Sequence, residues 1–204
     1  MSMMPANAAT LDPWWRDGRQ VLRFALWGLA SGCVTWVLID LAHTVEVHPE
    51  YRLPLPRLGA GDGLAVMDLS VIPGLVFGGV IGLFLYRQRL ATVLRVVLYA
   101  AAATVANFVA TNLALIVEGG SNIEPLWMGF IAGFTGAACL TVLSLPILPF
   151  ARRLRSCALM LAAGCLLGGL LQVALGSEDY GFLVLYAAWQ AGYAAALGTA
   201  VPRK

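Results

Sequence analysis

Thr104, Asn107, Thr111 and Glu118 lie 3, 4 and 7 residues apart in the stretch TVANFVATNLALIVEGG, which is otherwise apolar. In a helix that spacing puts all four on one face. Hydroxyl, amide and carboxylate groups of this kind can hold a polar solute or bond a neighbouring helix. They do not form a nucleophile with a base to activate it. A second face of the same type is made by Tyr186, Gln190 and Tyr193, spaced 4 and 3, with Asp179 a further 7 residues before Tyr186. Asn112 lies off the first face, which predicts a bond to an adjacent helix.

An amide left without a partner in hydrocarbon costs several kcal/mol, so Asn107 must face other helices or a wet cavity. If the two faces meet, they enclose a polar vestibule open to the outside. Asp40 and Asp68 would stand at the outer ends of the first and second helices, and Gln172 near the end of the fifth. The competing account is that the amides only tie helices together, at about 0.6 to 2 kcal/mol per bond. For any one residue that account is the simpler. Several polar residues stacked toward one side favour a lined site.

Other chemistry has less support. His43, Glu46 and Glu50 have helix-like spacing, with His48 nearby, but Pro49 interrupts a continuous helix and the spacing matches no closed zinc pattern. We expect no metal and no cofactor. Neither histidine lies deep in a span, which argues against a bis-histidine haem. No GxSxG, HExxH, phosphate-loop or dinucleotide motif occurs. Ser31 and Ser144 lack an intramembrane histidine to activate them. The cysteines Cys33, Cys139, Cys157 and Cys165 fall within or at the inner edge of proposed helices and form no CxxC pair, so a disulfide framework is not expected.

Composition dictates what positions these residues. Of 204 residues, 60% are hydrophobic and 12% charged, with a mean hydropathy of +0.80. That is too apolar for one water-soluble core. Spans of about 20 residues cross a hydrocarbon layer, and six are predicted: 21–42, 69–86, 90–117, 125–150, 156–175 and 180–201. The expected fold is all-α, a single membrane domain of six helices. Pro73 is expected in the first turn of the second helix, where its missing N–H does little harm. Pro146 and Pro149 should kink or end the fourth.

Charge predicts the threading. Of 13 basic residues, Arg16, Arg19, Arg23, Arg87, Arg89, Arg95, Arg152, Arg153, Arg155, Arg203 and Lys204 gather at one end, leaving Arg52 and Arg57 elsewhere. The positive-inside rule makes that end cytoplasmic, with both termini inside a cell inner membrane. Nine of the 11 acids fall on the other side: Asp40, Glu46, Glu50, Asp62, Asp68, Glu118, Glu124, Glu178 and Asp179. The basic residues are topology signals rather than a nucleic-acid footprint. The first 20 residues contain no apolar h-region, so the first helix is expected to stay as an anchor. Trp14 and Trp15 suit the headgroup layer.

A long connection over 43–68 contains HPEYRLPLPRLGAGDG and reads as an external loop or cap. LWGLASG echoes LWMGFIAG, and VLYAA occurs twice, as an inverted repeat would require. The two echoes need different offsets, which favours similarity of composition. Gly74, Gly78 and Gly82 stand four apart, as do Gly129 and Gly133, and Gly164 and Gly168. Small residues at this interval let helix backbones approach in lipid, so these glycines are expected to pack helix against helix.

In helix number, chain length and the long first external loop, the chain resembles the substrate-binding subunits of energy-coupling transporters, a likeness of architecture. Two functions follow from the residues. One is a small-solute binding or transport component whose site comprises Thr104, Asn107, Thr111, Glu118, Tyr186, Gln190, Asp40 and Asp68. The other is a scaffold or assembly subunit, its glycine faces and amides fixing a partner. An integral membrane enzyme is the least favoured. Expected partners are the lipid bilayer and, for the scaffold, other membrane subunits or further copies of the chain. A cavity lined by Asn107, Thr111 and Gln190 would favour the first; a solid interior would favour the second.

Overall fold

A computed structural model describes residues 14–44, 65–120, 123–150, 153–177 and 180–202. Seven helices occupy them: α1 (Trp14–Thr44), α2 (Ala65–Arg87), α3 (Val93–Gly120), α4 (Pro125–Ser144), α5 (Arg153–Gly168), α6 (Leu171–Gly176) and α7 (Gly181–Ala200). There is no strand among the described residues. Five segments are long and apolar enough to cross a membrane: Gly18–Leu41, Ser70–Arg87, Val93–Val117, Pro125–Ser144 and Leu154–Gly176.

Polarity is arranged as lipid requires. Leu94 is 67% exposed and Leu166 70%, whereas Ser31, Thr35, Ser70, Thr141 and Gln190 are buried. A water-soluble bundle would show the reverse. An apolar exterior with polar side chains turned inward fits a membrane protein. α7 has 20 residues and carries Tyr186, Gln190 and Tyr193, and it is not among these five segments. It tolerates them because α1 covers one side of it and α5 another.

Glycine contacts explain which helices pair. A Cβ on Gly78 would stand 2.5 Å from the Cα of Ala100, so α2 and α3 touch backbone to backbone, with Gly74 and Gly82 on the same seam. Gly129 and Gly133 of α4 face Gly164 and Gly168 of α5, and a Cβ on Gly133 would lie 2.8 Å from the Cα of Gly168. α1 and α7 close in the same way. A Cβ on Gly32 would meet the Cα of Ala187 at 2.5 Å, and one on Gly28 would meet the Ala194 Cβ at 2.7 Å. Gly28 and Gly32 are also four apart, the same signal as in the three faces singled out from sequence. Gln20 fastens the other end of this pair, donating to the carbonyls of Gly198 (2.9 Å) and Val201 (3.0 Å).

Three local expectations change. The second helix begins at Ala65, so Pro73 lies well inside it rather than in its first turn. The fifth span is divided: at Gly169 and Leu170 the chain tightens to bonds onto Leu166 and Leu167, and α6 follows as a separate piece. A glycine pair lowers the cost of leaving the helix there. The fourth helix ends at Ser144, short of the predicted 125–150 span but at the kink or end expected of Pro146. Leu145 keeps helical dihedrals (φ −55°, ψ −43°), and it is the missing N–H of Pro146 that leaves the Val142 carbonyl without its helical donor. Of the expected 43–68 loop, His43 and Thr44 extend α1 and Ala65 to Asp68 open α2, while 45–64 lies outside the described residues.

Candidate functional site

α3 packs mainly on α2 and α4, and α7 mainly on α1 and α5. Between these two groups lies a cavity of about 200 Å³. It is larger than the roughly 150 Å³ void that admits benzene. Segments from the start of α2, the end of α3, the start of α4, α6 and the start of α7 line it, so it sits in the half of the bundle away from Arg19, Arg87 and Arg155. Small residues such as Ala106, Ala110 and Gly136 make the room, and Phe77 and Trp189 supply aromatic wall. Trp189 is held by stacking on Tyr193, with ring centroids 5.3 Å apart, and by donating to the Gly164 carbonyl at 3.2 Å.

Four polar residues predicted from sequence border this cavity: Asn107 and Thr111 from α3, Tyr186 and Gln190 from α7. Two of them reach the same stretch of α2 from different helices. Asn107 Nδ2 donates to the Ser70 carbonyl at 2.8 Å. Gln190 Nε2 donates to Thr35 Oγ1 at 3.2 Å and to the Pro73 carbonyl at 3.4 Å. A carbonyl can only accept, so this contact orients the amide and leaves Oε1 as the group to be satisfied. Gln190 is 2% exposed and its Oε1 has no partner among the described residues. Ser31 Oγ and Tyr99 OH are also buried without one, but neither residue borders the cavity.

The other predicted residues are placed differently. Thr104 bonds back to the Ala100 carbonyl of its own helix at 2.9 Å and does not line the cavity. Tyr193 is wholly buried, its hydroxyl 3.0 Å from Thr141 Oγ1 of α4, so it braces the helices below the cavity. Asn112 donates to the Phe108 carbonyl of its own helix at 2.7 Å, not to a neighbour as expected. A buried amide can be satisfied by the free lone pair of a carbonyl one turn earlier. Asp40 is exposed on α1 and Gln172 on α6, and neither reaches the cavity. Asp68 and Glu118 belong to α2 and α3, but their side chains lie outside the described residues, as do Glu46, His48, Glu50 and Asp179. Among the described residues the lining is thus largely apolar, with a few polar groups set into it. The small residues opposite Gln190 were visible in the sequence, but nothing in their spacing distinguished a wall from a packed seam.

No protein family, curated protein or solved structure matches the chain, so the resemblance to energy-coupling transporter subunits has no matched fold behind it, and the geometry carries the functional reading alone.

Proposed function

We propose that the chain crosses the inner membrane six times, α7 included and α5 with α6 counting as one span, with both termini cytoplasmic. In its outer half it binds a small, neutral, largely apolar solute bearing at least one hydrogen-bond donor, as a binding or transport component. The observation that carries this reading is the cavity between two helix groups where Asn107, Thr111, Tyr186 and Gln190 gather. Ligand sites are characteristically apolar concavities with a few placed polar groups. No charged side chain lines this one among the described residues, which disfavours an ion. A donor brought to Gln190 Oε1 would supply the bond that this buried oxygen lacks.

The test is cysteine accessibility in a variant whose native Cys33, Cys139, Cys157 and Cys165 have been replaced. A cysteine at Thr111 should react with a small, membrane-impermeant thiol reagent added from outside, and a cysteine at Phe108, which does not border the cavity, should not. Protection of the Thr111 cysteine by one member of a panel of small alcohols, phenols and amides would begin to identify the solute. Reaction only from the cytoplasmic side overturns the orientation. No reaction from either side, in a variant that still folds, overturns the binding site and leaves the scaffold.

A further inference from the structure

Away from the cavity, α2 gives way to α3 through a tight turn. Arg89 N donates to the Tyr86 carbonyl at 2.8 Å and Leu90 N to the Leu85 carbonyl at 2.9 Å. This pair of bonds closes a helix with its next residue left-handed, usually a glycine. Here that residue is Arg89, with φ 55°. The turn folds Arg87, Arg89 and Arg95 around one surface concavity, with Tyr86 and Thr92 also on its wall. All three arginines are exposed, and α3 begins beside them at Val93, adding the positive end of a helix. No Asp or Glu occurs between Asp68 and Glu118, so the carboxylates of α2 and α3 belong to the ends of those helices away from the concavity.

The positive-inside bias accounts for basic residues at this end of the bundle. It does not account for three of them around one concavity that adjoins a lipid-facing strip. Val93 (63% exposed), Leu94, Val97 and Leu98 continue that strip along α3. Guanidinium groups match the geometry of phosphate oxygens and are weakly hydrated, which suits them to a phosphate at the membrane boundary. We infer that this concavity is a binding site for an anionic phospholipid, its phosphate headgroup held by Arg87, Arg89 and Arg95 and its acyl chains lying along the exposed apolar face of α3.

The experiment is native mass spectrometry of the full chain released from detergent, with phosphatidylglycerol or phosphatidylcholine titrated in. The expected result is preferential retention of phosphatidylglycerol. Affinity should fall about fivefold for each arginine replaced, in Arg87→Gln, Arg89→Gln and Arg95→Gln singly and together. Replacing Arg152, Arg153 and Arg155 by Gln removes the same charge from the same end of the chain and should leave retention unchanged. Equal loss in both triple variants overturns the site, leaving only diffuse attraction. Binding of inorganic phosphate without retention of phosphatidylglycerol overturns the lipid assignment. If the triple variant does not fold, Arg95→Gln alone decides: its side chain lies outside the turn, and unchanged retention in it overturns the proposal.

Discussion

The seam between α4 and α5 and the gap between α3 and α7 are built from similar residues with opposite outcomes. In the seam, Gly129 and Gly133 meet Gly164 and Gly168, and the backbones touch. At the gap, α3 presents Ala103, Ala106 and Ala110, but α7 answers with Tyr186, Trp189 and Gln190, and a cavity remains. Association in lipid relies on close van der Waals fit and interhelical bonds. Small residues therefore close a contact only when the facing helix is also small at matching heights. Set against large side chains that are already bonded elsewhere, they leave space.

The hardest test of this contrast is to put bulk into the seam. Gly133→Leu should cost more than about 3 kcal/mol, because the atoms in its way are backbone and cannot move aside. A Cβ on Gly79 meets nothing within 4 Å, so Gly79→Leu should stay within about 0.5 kcal/mol. Thermal unfolding in detergent, with recovery of monodisperse protein, measures both. Similar losses would mean that the glycines do not mark contacts.

Bulk placed in the gap should act differently. Ala114 lines the cavity, and Ala114→Leu should change stability by less than about 1.5 kcal/mol, as a substitution with room to fit. The same change should strongly slow labelling of a cysteine at Thr111. A large destabilisation with labelling unaltered would show that the gap is packed like the seam.

A modest effect is expected where the Gln190 amide ties α7 to α1 and α2. Gln190→Leu removes the contacts to Thr35 and Pro73 together with the unpartnered oxygen. These changes oppose one another, so the net loss should be about 0.5 to 1.5 kcal/mol by unfolding. A loss comparable to that of Gly133→Leu would make Gln190 a main tie of the fold and weaken its reading as a ligand group.

Much of this arrangement was legible before any coordinates. Pro146 announced the end of α4, since a proline has no N–H with which to continue the helical bonding. The helical spacing put Asn107 with Thr111, and Tyr186 with Gln190, on shared helix faces. Pro73 was misread because its effect depends on where α2 begins, and the polar Asp68 obscured an extra turn starting at Ala65. Gly28 and Gly32 carry the same four-residue spacing as the other glycine faces. Tyr193 shares a helical face with Gln190, yet a shared face extends over several turns, and only the facing Thr141 shows that Tyr193 belongs to a packed layer.

By itself, then, the sequence determined that the chain is helical, that its exterior suits lipid, and which residues share each helix face, because composition and helical period are local properties. Only the tertiary structure decided which faces meet. It paired α1 with α7, turned Asn112 and Thr104 back onto their own helix, brought Asn107 and Gln190 to the same stretch of α2, and left a largely apolar cavity between α3 and α7. The reason is that contact depends on the residue opposite, which can lie more than a hundred positions away and leaves no mark on local spacing.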